Sequence, residues 1–287
     1  MDPFSPRDEA RLDYWFWKFH VGDLAFLVDL IVRRGAGTAE VRVSQWLRGT
    51  GRVVHQETRE WSASDSEIRI GETTLQPGGR SVGSAEDISW DLTWTAGRVL
   101  SGLRGLVARV QPFDTTIVVW PDAVFSGSVT VGTERFDVRE IPGALYHYWG
   151  RRLPDRWVWL SATQFEGHPN RRVEGVFGVR TRLFGRVPMP TAVSILWTTD
   201  SGRREELVGN VNAMIGVKPL ASGVTIDARG IGKRHRLTAS WGEVPPNDIG
   251  EGIIQTMHGD LTFDDLEAVP GTVGLEVRGY PSPLRPG

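Results

Sequence analysis

The chain has 287 residues, which is enough for one large or two medium-sized domains with their own cores. Forty per cent of the residues are apolar and the net charge is −2, so the composition is that of an ordinary globular protein and gives no overall electrostatic signal for nucleic acid or an anionic membrane. There is no cysteine, which excludes disulfides, thiolate metal sites and a cysteine nucleophile.

The N-terminal stretch MDPFSPRDEARLDYW has acidic residues and prolines where a signal peptide needs a basic region and an apolar run. No stretch of the sequence approaches the length of a membrane span. We therefore expect a cytoplasmic protein without a transmembrane segment.

The opening of the chain predicts two β-strands. Residues 13–21 carry aromatic side chains on both faces, and residues 24–33 are an apolar run interrupted by Asp29. A carboxylate in such a run lies at a strand edge, is paired with another group, or faces a cavity. Residues 39–47 then alternate clearly between apolar and polar side chains.

Further strands follow, with one exception. Residues 53–61 place His55 and Glu57 on one face, and residues 88–94 show a strong period of two that indicates a half-buried strand. Residues 97–109 alone have apolar side chains at helical spacing, and they favour either a short helix or a loop. Strands resume over residues 115–141.

The middle of the chain, residues 143–167, concentrates aromatic side chains. The pattern reads Tyr146-His147-Tyr148-Trp149-Gly150, then a loop rich in arginine and proline, then Trp157-Val158-Trp159 and Phe165. From Trp157 to Phe165 both alternating faces are largely apolar, so we expect this strand to be covered on both sides. Eight further strands are predicted at 173–181, 191–198, 205–210, 213–217, 223–227, 234–241, 253–263 and 271–278.

This central pattern resembles the signature of the group that contains tocopherol cyclase, hydroxyneurosporene synthase (a carotenoid hydratase) and AttH-like proteins, to which lipocalin-like Diels–Alderases are related. Weaker similarity at residues 15–19, at residues 89–94 and around Gly259 extends the resemblance over most of the chain. The resemblance implies an all-β fold of two tandem lipocalin-like β-barrel domains. We place the domains at residues 1–135 and 136–287.

Recognisable catalytic motifs are absent from the sequence: there is no phosphate-binding loop, no nucleophile elbow and no pair of histidines at metal-ligand spacing. We therefore expect neither a metal nor a cofactor. The candidates for acid–base chemistry are ionisable or hydroxyl side chains within apolar strands, since a carboxylic acid in an apolar pocket has a raised pKa and can protonate an alkene. These candidates are Asp29, Glu57, His147 and Tyr146. The alternative is that each faces solvent or an internal hydrogen-bond partner.

Twelve tryptophans against four tyrosines is an unusual composition. Such rings can line a cavity for an apolar ligand, or they can pack a core and a seam between domains. The candidate substrate-binding residues are Trp15, Trp17, Trp90, Trp94, Tyr148, Trp149, Trp157, Trp159, Ser161 and Gln164.

The resemblance implies a cofactor-independent cyclase, Diels–Alderase-like, or a related isomerase or hydratase that folds a lipophilic polyene, prenyl or polyketide-derived substrate in natural-product biosynthesis. Such an enzyme would hold a flexible chain in one reactive conformation and polarise it with hydrogen-bond donors. Two alternatives remain open: a carrier of hydrophobic ligands without chemistry, and a purely structural protein. The expected partner is a lipophilic small molecule and not nucleic acid, and the expected state is a monomer or homodimer.

Overall fold

The structure is a computed structural model that describes residues 4–97, 99–101, 115–179, 182–183, 187–188, 192–208, 213–230 and 232–280. All regular elements of these ranges are β-strands, and every recorded pairing is antiparallel. No helix in the described part of the chain has the length and apolar character needed to cross a membrane. The predicted all-β fold class is confirmed.

The first sheet has twelve strands. They are β1 (Leu12–Val21), β2 (Leu24–Arg33), β3 (Thr38–Leu47), β4 (Thr50–Thr58), β5 (Trp61–Ala63), β6 (Ile68–Ile70), β7 (Thr73–Gln76), β8 (Arg80–Ala85), β9 (Ile88–Thr95), β10 (Leu100–Ser101), β11 (Thr115–Val131) and β12 (Glu134–Gly150). Their order is β4-β3-β2-β1-β12-β11-β9-β8-β7-β6-β5, with β10 paired to β11.

The strand order requires the first sheet to curl towards closure. Its edge strands are β4 and β5, which are consecutive in sequence, since β4 ends at Thr58 and β5 begins at Trp61. So short a connection holds the two edges of the sheet near each other. The last strand, β12, pairs with the first, β1, on the opposite side of the sheet. This curled meander is the architecture of a lipocalin-like barrel.

The second sheet has eleven strands. They are β13 (Trp157–Ala162), β14 (Arg172–Val179), β17 (Ala192–Thr198), β18 (Arg204–Val208), β19 (Ala213–Leu220), β20 (Gly223–Gly230), β21 (Lys233–Ser240), β22 (Asn247–Asp248), β23 (Ile253–Phe263), β24 (Leu266–Glu267) and β25 (Val273–Arg278). A separate small hairpin joins β15 (Arg182–Leu183) and β16 (Val187–Pro188).

The second sheet repeats the topology of the first. Its order is β18-β17-β14-β13-β25-β23-β21-β20-β19, so the first strand β13 again pairs with the last strand β25, and the edge strands β18 and β19 are again consecutive in sequence. Two tandem lipocalin-like domains, as predicted, are therefore present, although the two halves show no sequence repetition.

The chain divides into two units, Met1–Gln45 with Arg52–Leu153 and Trp46–Gly51 with Pro154–Gly287. The division expected from the sequence, between residues 135 and 136, falls inside β12. Because β12 pairs with β1 and β11 along most of its length, it belongs to the first sheet, and the chain passes to the second unit after Leu153.

The segment with helical spacing, residues 97–109, is described only in part. Leu100 and Ser101 form a short strand that pairs with Val119 and Val118 of β11. Arg98 and residues 102–109 lie outside the described residues, so the predicted helix stays a prediction there.

The core of each unit lies on one face of its sheet. In β9 the alternation predicted from the sequence is confirmed, since Ile88, Trp90, Leu92 and Trp94 are buried and the residues between them are exposed. In β13 every residue is buried, which confirms the expectation of a strand covered on both sides. The core of the second unit contains a large apolar cluster, with Phe177, Trp197 and Phe263 among its largest members.

Gly143 in β12 provides a test of the packing of the first core. A Cβ atom at this position would lie 2.3 Å from the backbone oxygen of Lys18 and 2.7 Å from the ring of Phe125. We expect Gly143→Ala to lower the free energy of unfolding by about 1–3 kcal/mol, because overpacking shifts backbone and ring together. Chemical denaturation would measure this loss of stability. Gly35→Ala, where a Cβ meets no atom within 4 Å, is the matched control. Equal stability of both variants would contradict the described packing.

Candidate functional site

The first strand, β1, is buried on both faces, and the two faces contact different sets of side chains. We call the inner face the one that carries Trp15, Trp17 and Phe19, because Phe19 packs on Phe125 with ring centroids 5.2 Å apart within the core of the first unit. The outer face carries Tyr14, Phe16 and Lys18. The pairing with β2 and β12 extends each face over three strands.

The inner face is packed with aromatic rings. Trp17 stacks on Trp94 with centroids 6.1 Å apart, and Phe26 contacts Trp90 at 6.1 Å. Trp15 and Trp17 have no exposed surface, so neither borders a space that admits water. Of the two interpretations of these predicted substrate-binding residues, the contacts favour core packing.

His147 lies on this inner face beside a buried carboxylate. Its Nε2 is 2.9 Å from Oδ1 of Asp13, and both side chains are fully buried. The indole of Trp15 stacks on the imidazole with centroids 4.8 Å apart and planes 10° apart, and Trp149 packs against it at 4.8 Å. The strands position these groups directly, because Trp15 is the register partner of His147.

The Asp13 carboxylate also holds the N-terminal segment. Its Oδ2 accepts hydrogen bonds from the backbone N–H of Arg7 at 2.8 Å and from the guanidinium of Arg34 at 3.0 Å. The indole N–H of Trp15 donates to the backbone oxygen of Phe4 at 3.0 Å. The group of Asp13, His147 and Arg34 thus anchors the N-terminal segment on β1 and β12, and we assign His147 a structural role in this conformation.

The outer face brings two of the predicted catalytic residues into one row. Phe16 of β1 is the register partner of Asp29 in β2 on one side and of Tyr146 in β12 on the other. The rings of Phe16 and Tyr146 are stacked, with centroids 4.2 Å and planes 5° apart. Asp29 and Tyr146 are buried. We call Asp29, Phe16 and Tyr146 the central row.

Asp29 is paired, as one of the sequence interpretations anticipated. Its Oδ1 accepts a hydrogen bond from the hydroxyl of Tyr14 at 2.8 Å, and its Oδ2 lies 3.8 Å from the guanidinium of Arg42. Burial would lower the pKa of Arg42, but the charges of Asp29, Tyr14 and Glu40 raise it above its ordinary value. Arg42 is therefore a permanent cation that stabilises the ionised form of Asp29.

A chain of charges connects Asp29 to the surface. Oε1 of Glu40 accepts from Arg42 at 3.2 Å and lies 2.8 Å from Nδ1 of His55, whose side chain is 45% exposed. Burial raises the pKa of Glu40, but Arg42, His55 and Arg33 together outweigh it and hold the pKa below its ordinary value.

Glu57 does not belong to this group. It is exposed in β4, a strand at the edge of the sheet whose residues are mostly accessible, so the expected apolar environment of Glu57 is wrong. The alternation of residues 53–61 indicated a strand, which the structure has over Thr50–Thr58, but alternation does not show whether another layer covers a face, and both faces of β4 are largely accessible.

Lys18 and Tyr148 complete the outer face of the first unit. Lys18 is fully buried beside the central row, where its register partners are Leu27 and Ala144. Tyr148 donates a hydrogen bond from its hydroxyl to the backbone oxygen of Arg152 at 2.6 Å. The half-buried Tyr14 is the register partner of Tyr148, so this side of the outer face retains accessible surface.

In the second unit, β13 places Trp157, Trp159 and Ser161 on the face opposite the apolar core. Ser161 donates to Oε1 of the buried Glu174 at 2.7 Å, and Trp157 donates from its indole to Oε1 of Glu276 at 2.6 Å. Trp159 is the register partner of Glu276. Its ring fits closely over a glycine, since a Cβ on Gly274 would lie 2.7 Å from it.

Two further features concern the predicted site. Gln164 is half-buried just after β13, where its backbone oxygen accepts from the N–H of Val269 at 3.1 Å. Within the ranges that the structure describes, no three His, Asp or Glu side chains are grouped as a metal site would require.

Sequence reasoning missed several residues that the fold brings to these faces. Asp13 and Lys18 lie within the aromatic strand that the sequence predicted, and a charged residue between large apolar neighbours was the available signal for both. Glu174 and Glu276 gave no comparable signal, because their strands contain other polar residues and only the pairing with β13 shows that they are covered.

No protein-family model and no curated protein sequence matches the chain. Solved structures do share its fold. A protein described as an AttH from Nitrosomonas europaea superposes with a TM-score of 0.68 at 14% identity, over 98% of this chain and 96% of that one. Kievitone hydratase from Nectria haematococca superposes with a TM-score of 0.60 at 10% identity, over 96% of this chain and 91% of that one. At such identities the similarity shows the fold.

The buried Asp13 carboxylate, with its partners on the inner face, should contribute strongly to the stability of the first unit. We expect Asp13→Asn to lower the free energy of unfolding by about 3–5 kcal/mol, because it leaves buried partners of a charged network uncompensated. Asp137→Asn removes an exposed carboxylate that also bridges two arginines, and it should change stability little. Thermal and urea unfolding would compare the two, and similar losses would contradict the structural role of Asp13.

The pKa of Glu40 leads to a pH prediction. Because the folded pKa is lowered relative to the unfolded value near 4.5, Glu40 contributes stability above that pH and loses it as the pH falls through the folded value. We expect Glu40→Gln to be less stable at neutral pH and to lose less stability on acidification below pH 4.5 than the parent. Urea unfolding across this range measures both, with Glu57→Gln as control. If the parent and Glu40→Gln lost the same stability below pH 4.5, the lowered pKa of Glu40 would be contradicted.

Proposed function

We propose that this chain is a cofactor-independent enzyme that transfers protons at an unsaturated, lipophilic substrate, as a hydratase, isomerase or cyclase does. The observation that carries the proposal is the central row, in which the carboxylate of Asp29 and the phenol of Tyr146 flank the ring of Phe16 on one buried face. A base and a neutral proton donor in one apolar, aromatic environment are what addition to a double bond requires.

Asp29 is the proposed base. The hydroxyl of Tyr14 at 2.8 Å and the guanidinium of Arg42 at 3.8 Å stabilise its ionised form, which is the form that accepts a proton. This reverses the role expected from an isolated carboxyl in an apolar strand, which would stay protonated and act as an acid. Burial keeps competing water away from the carboxylate and strengthens its interaction with the reacting group.

Tyr146 is the proposed donor. Asp29 and Tyr146 are closed to water in this conformation, so the proposed reaction requires the side chains around the half-buried Tyr14 to open for substrate and water. In a hydration, a water molecule loses a proton to Asp29 while its oxygen bonds to one alkene carbon, and the other carbon receives the proton of the Tyr146 hydroxyl. The phenolate then regains a proton that originates from Asp29, so that one water is added overall. If a hydroxyl or enol of the substrate takes the place of water, the same addition closes a ring. If Asp29 removes a proton from one carbon and Tyr146 delivers a proton to another, the product is an isomer.

The substrate class follows from the surroundings. Phe16 and Tyr146 form a stacked aromatic pair, and the edge-to-face pair of the half-buried Tyr14 with Tyr148 extends these aromatic surroundings. A prenyl, polyene or polyketide-derived chain would bury its apolar surface there, at roughly 25 cal/mol per Å². One protein of similar fold is a hydratase by name, which agrees with this reaction class.

The test combines product analysis with isotope labelling. The purified chain is incubated with a panel of polyenes, prenylquinols and linear polyketides, in heavy-oxygen water and in deuterium oxide, and products are resolved by mass-resolved chromatography. Heavy oxygen in the product identifies hydration, and deuterium on carbon without added oxygen identifies isomerisation or proton-dependent cyclisation. A cyclised product without either label would assign a pericyclic reaction, and unchanged ligand that quenches tryptophan fluorescence saturably would assign a carrier.

The residue prediction separates the proposed roles. We expect Asp29→Asn and Tyr146→Phe each to lower kcat by about a hundredfold or more, because each removes one proton transfer. Asp137→Asn, on the exposed part of β12, is the matched control and should retain full activity. Far-ultraviolet circular dichroism and unfolding curves must show that the variants are folded. Full activity of a folded Asp29→Asn variant would refute Asp29 as the base.

A further inference from the structure

The second unit has a surface that combines exposed apolar side chains with cations. Among the described residues, the large apolar side chains that are exposed are Met214, at 79%, and Leu220, at 38%. Both belong to β19, and their even spacing places them on one face of the strand with Lys218 between them. Exposed apolar groups scattered singly are ordinary, but Met214 and Leu220 share one face of an edge strand with a cation between them, which makes that face amphipathic.

Arginines continue this face on the next two strands. Met214 is the register partner of Arg229 in β20, and Arg229 is the register partner of Arg234 in β21. All three are exposed. Like charges directly opposite each other on a sheet destabilise the pairing, so Arg229 and Arg234 favour a negative partner from outside.

The balance of charge on this face is positive. Across the described residues of β19, β20 and β21, the outward positions hold Lys218, Arg229, Arg234 and Arg236 against the carboxylate of Asp227. Asp227 pairs with Arg236 at 3.0 Å, and Arg236, with Arg234 and Arg229 beyond it, lowers the pKa of that carboxyl below its usual range. Since these positions hold a single carboxylate, the positive charges of Arg229 and Arg234 are largely uncompensated on these three strands.

We propose that this face, formed by Met214, Lys218, Leu220, Arg229 and Arg234, binds the surface of a membrane that contains anionic lipids. The cations contact the lipid headgroups, and Met214 and Leu220 enter the boundary between headgroups and acyl chains. Free phosphate or a nucleic acid would use the cations alone and leave the two apolar side chains in water. A bilayer satisfies both components, which is why it is the partner that fits.

The overall composition of the chain gives no indication of this cationic surface. The net charge of −2 averages over the whole sequence, whereas attraction to a charged surface depends on charges within about one Debye length, roughly 8 Å at physiological ionic strength. A local cationic face lets a weakly acidic protein bind an anionic membrane in one orientation, while the rest of its surface is not attracted to the membrane. The surface is separate from the central row, so this proposal does not depend on the proposed catalytic function.

The experiment measures binding of the full chain to vesicles by cosedimentation. Vesicles of phosphatidylcholine mixed with phosphatidylserine are compared with vesicles of phosphatidylcholine alone. We expect binding to the mixed vesicles that weakens with added salt. Replacing each arginine should weaken binding about fivefold, so the double variant Arg229→Ser with Arg234→Ser should lose about twenty-fivefold. Met214→Ser should weaken binding several-fold at unchanged net charge, because apolar insertion is lost.

The matched control is the double variant Arg135→Ser with Arg139→Ser, which removes two exposed cations from β12 and changes the net charge equally. It should bind as the parent does. Three results would overturn the proposal: no preference for the mixed vesicles, an equal loss in the control variant, or full displacement by inorganic phosphate with no effect of Met214→Ser. The last would assign the arginine pair to a small anion.

Discussion

The pairing of β1 with β12 is the constraint on which the first unit depends. These strands come from opposite ends of the unit, and their register decides which side chains share a face. Trp15 meets His147 on the inner face and Phe16 meets Tyr146 on the outer face. Because side chains alternate with a period of two, a slip of β12 by one residue would move His147 to the face opposite Asp13 and place Tyr146 on the inner face. Both faces of β1 are buried, so a change of register would disrupt packing on each face and lower the stability of the unit.

Much of this fold can be read from the sequence, and the limits have physical causes. The strict alternation of β9 reveals a strand with one buried face, and the two apolar faces around Trp157 reveal a strand with two. Strand partners are different, because they depend on contacts between distant residues. The sequence therefore could not show that β12 returns to β1 or that His147 meets Asp13. Glu57 was misjudged for a similar reason, since only the fold shows that both faces of β4 are largely accessible.

The two units share a strand order but distribute their polar groups differently. In the first, ionisable residues occupy both faces of the strands, with Asp13 and His147 among the aromatic rings of the core. In the second, a large apolar cluster fills the core and the carboxylates Glu174 and Glu276 lie on the opposite face beside β13. One backbone topology thus tolerates two arrangements, because the hydrogen bonds of the sheet fix the strands while alternation leaves the character of each face open. Topology alone could not locate a site in this chain.

The charges around the central row determine which role Asp29 can take in the proposed chemistry. A lone aspartate among apolar residues would be protonated and would act as an acid, but Asp29 lies between the hydroxyl of Tyr14 and the permanent cation Arg42. Arg42 in turn shares Glu40 with His55 at the surface, so the buried ions form a connected set and not an isolated charge. Removing any member would leave its neighbours uncompensated in a medium of low dielectric constant, which costs several kcal/mol. Such an arrangement beside a stacked tyrosine can keep a buried carboxylate ionised, which is the state that the proposed role of Asp29 as a proton acceptor requires.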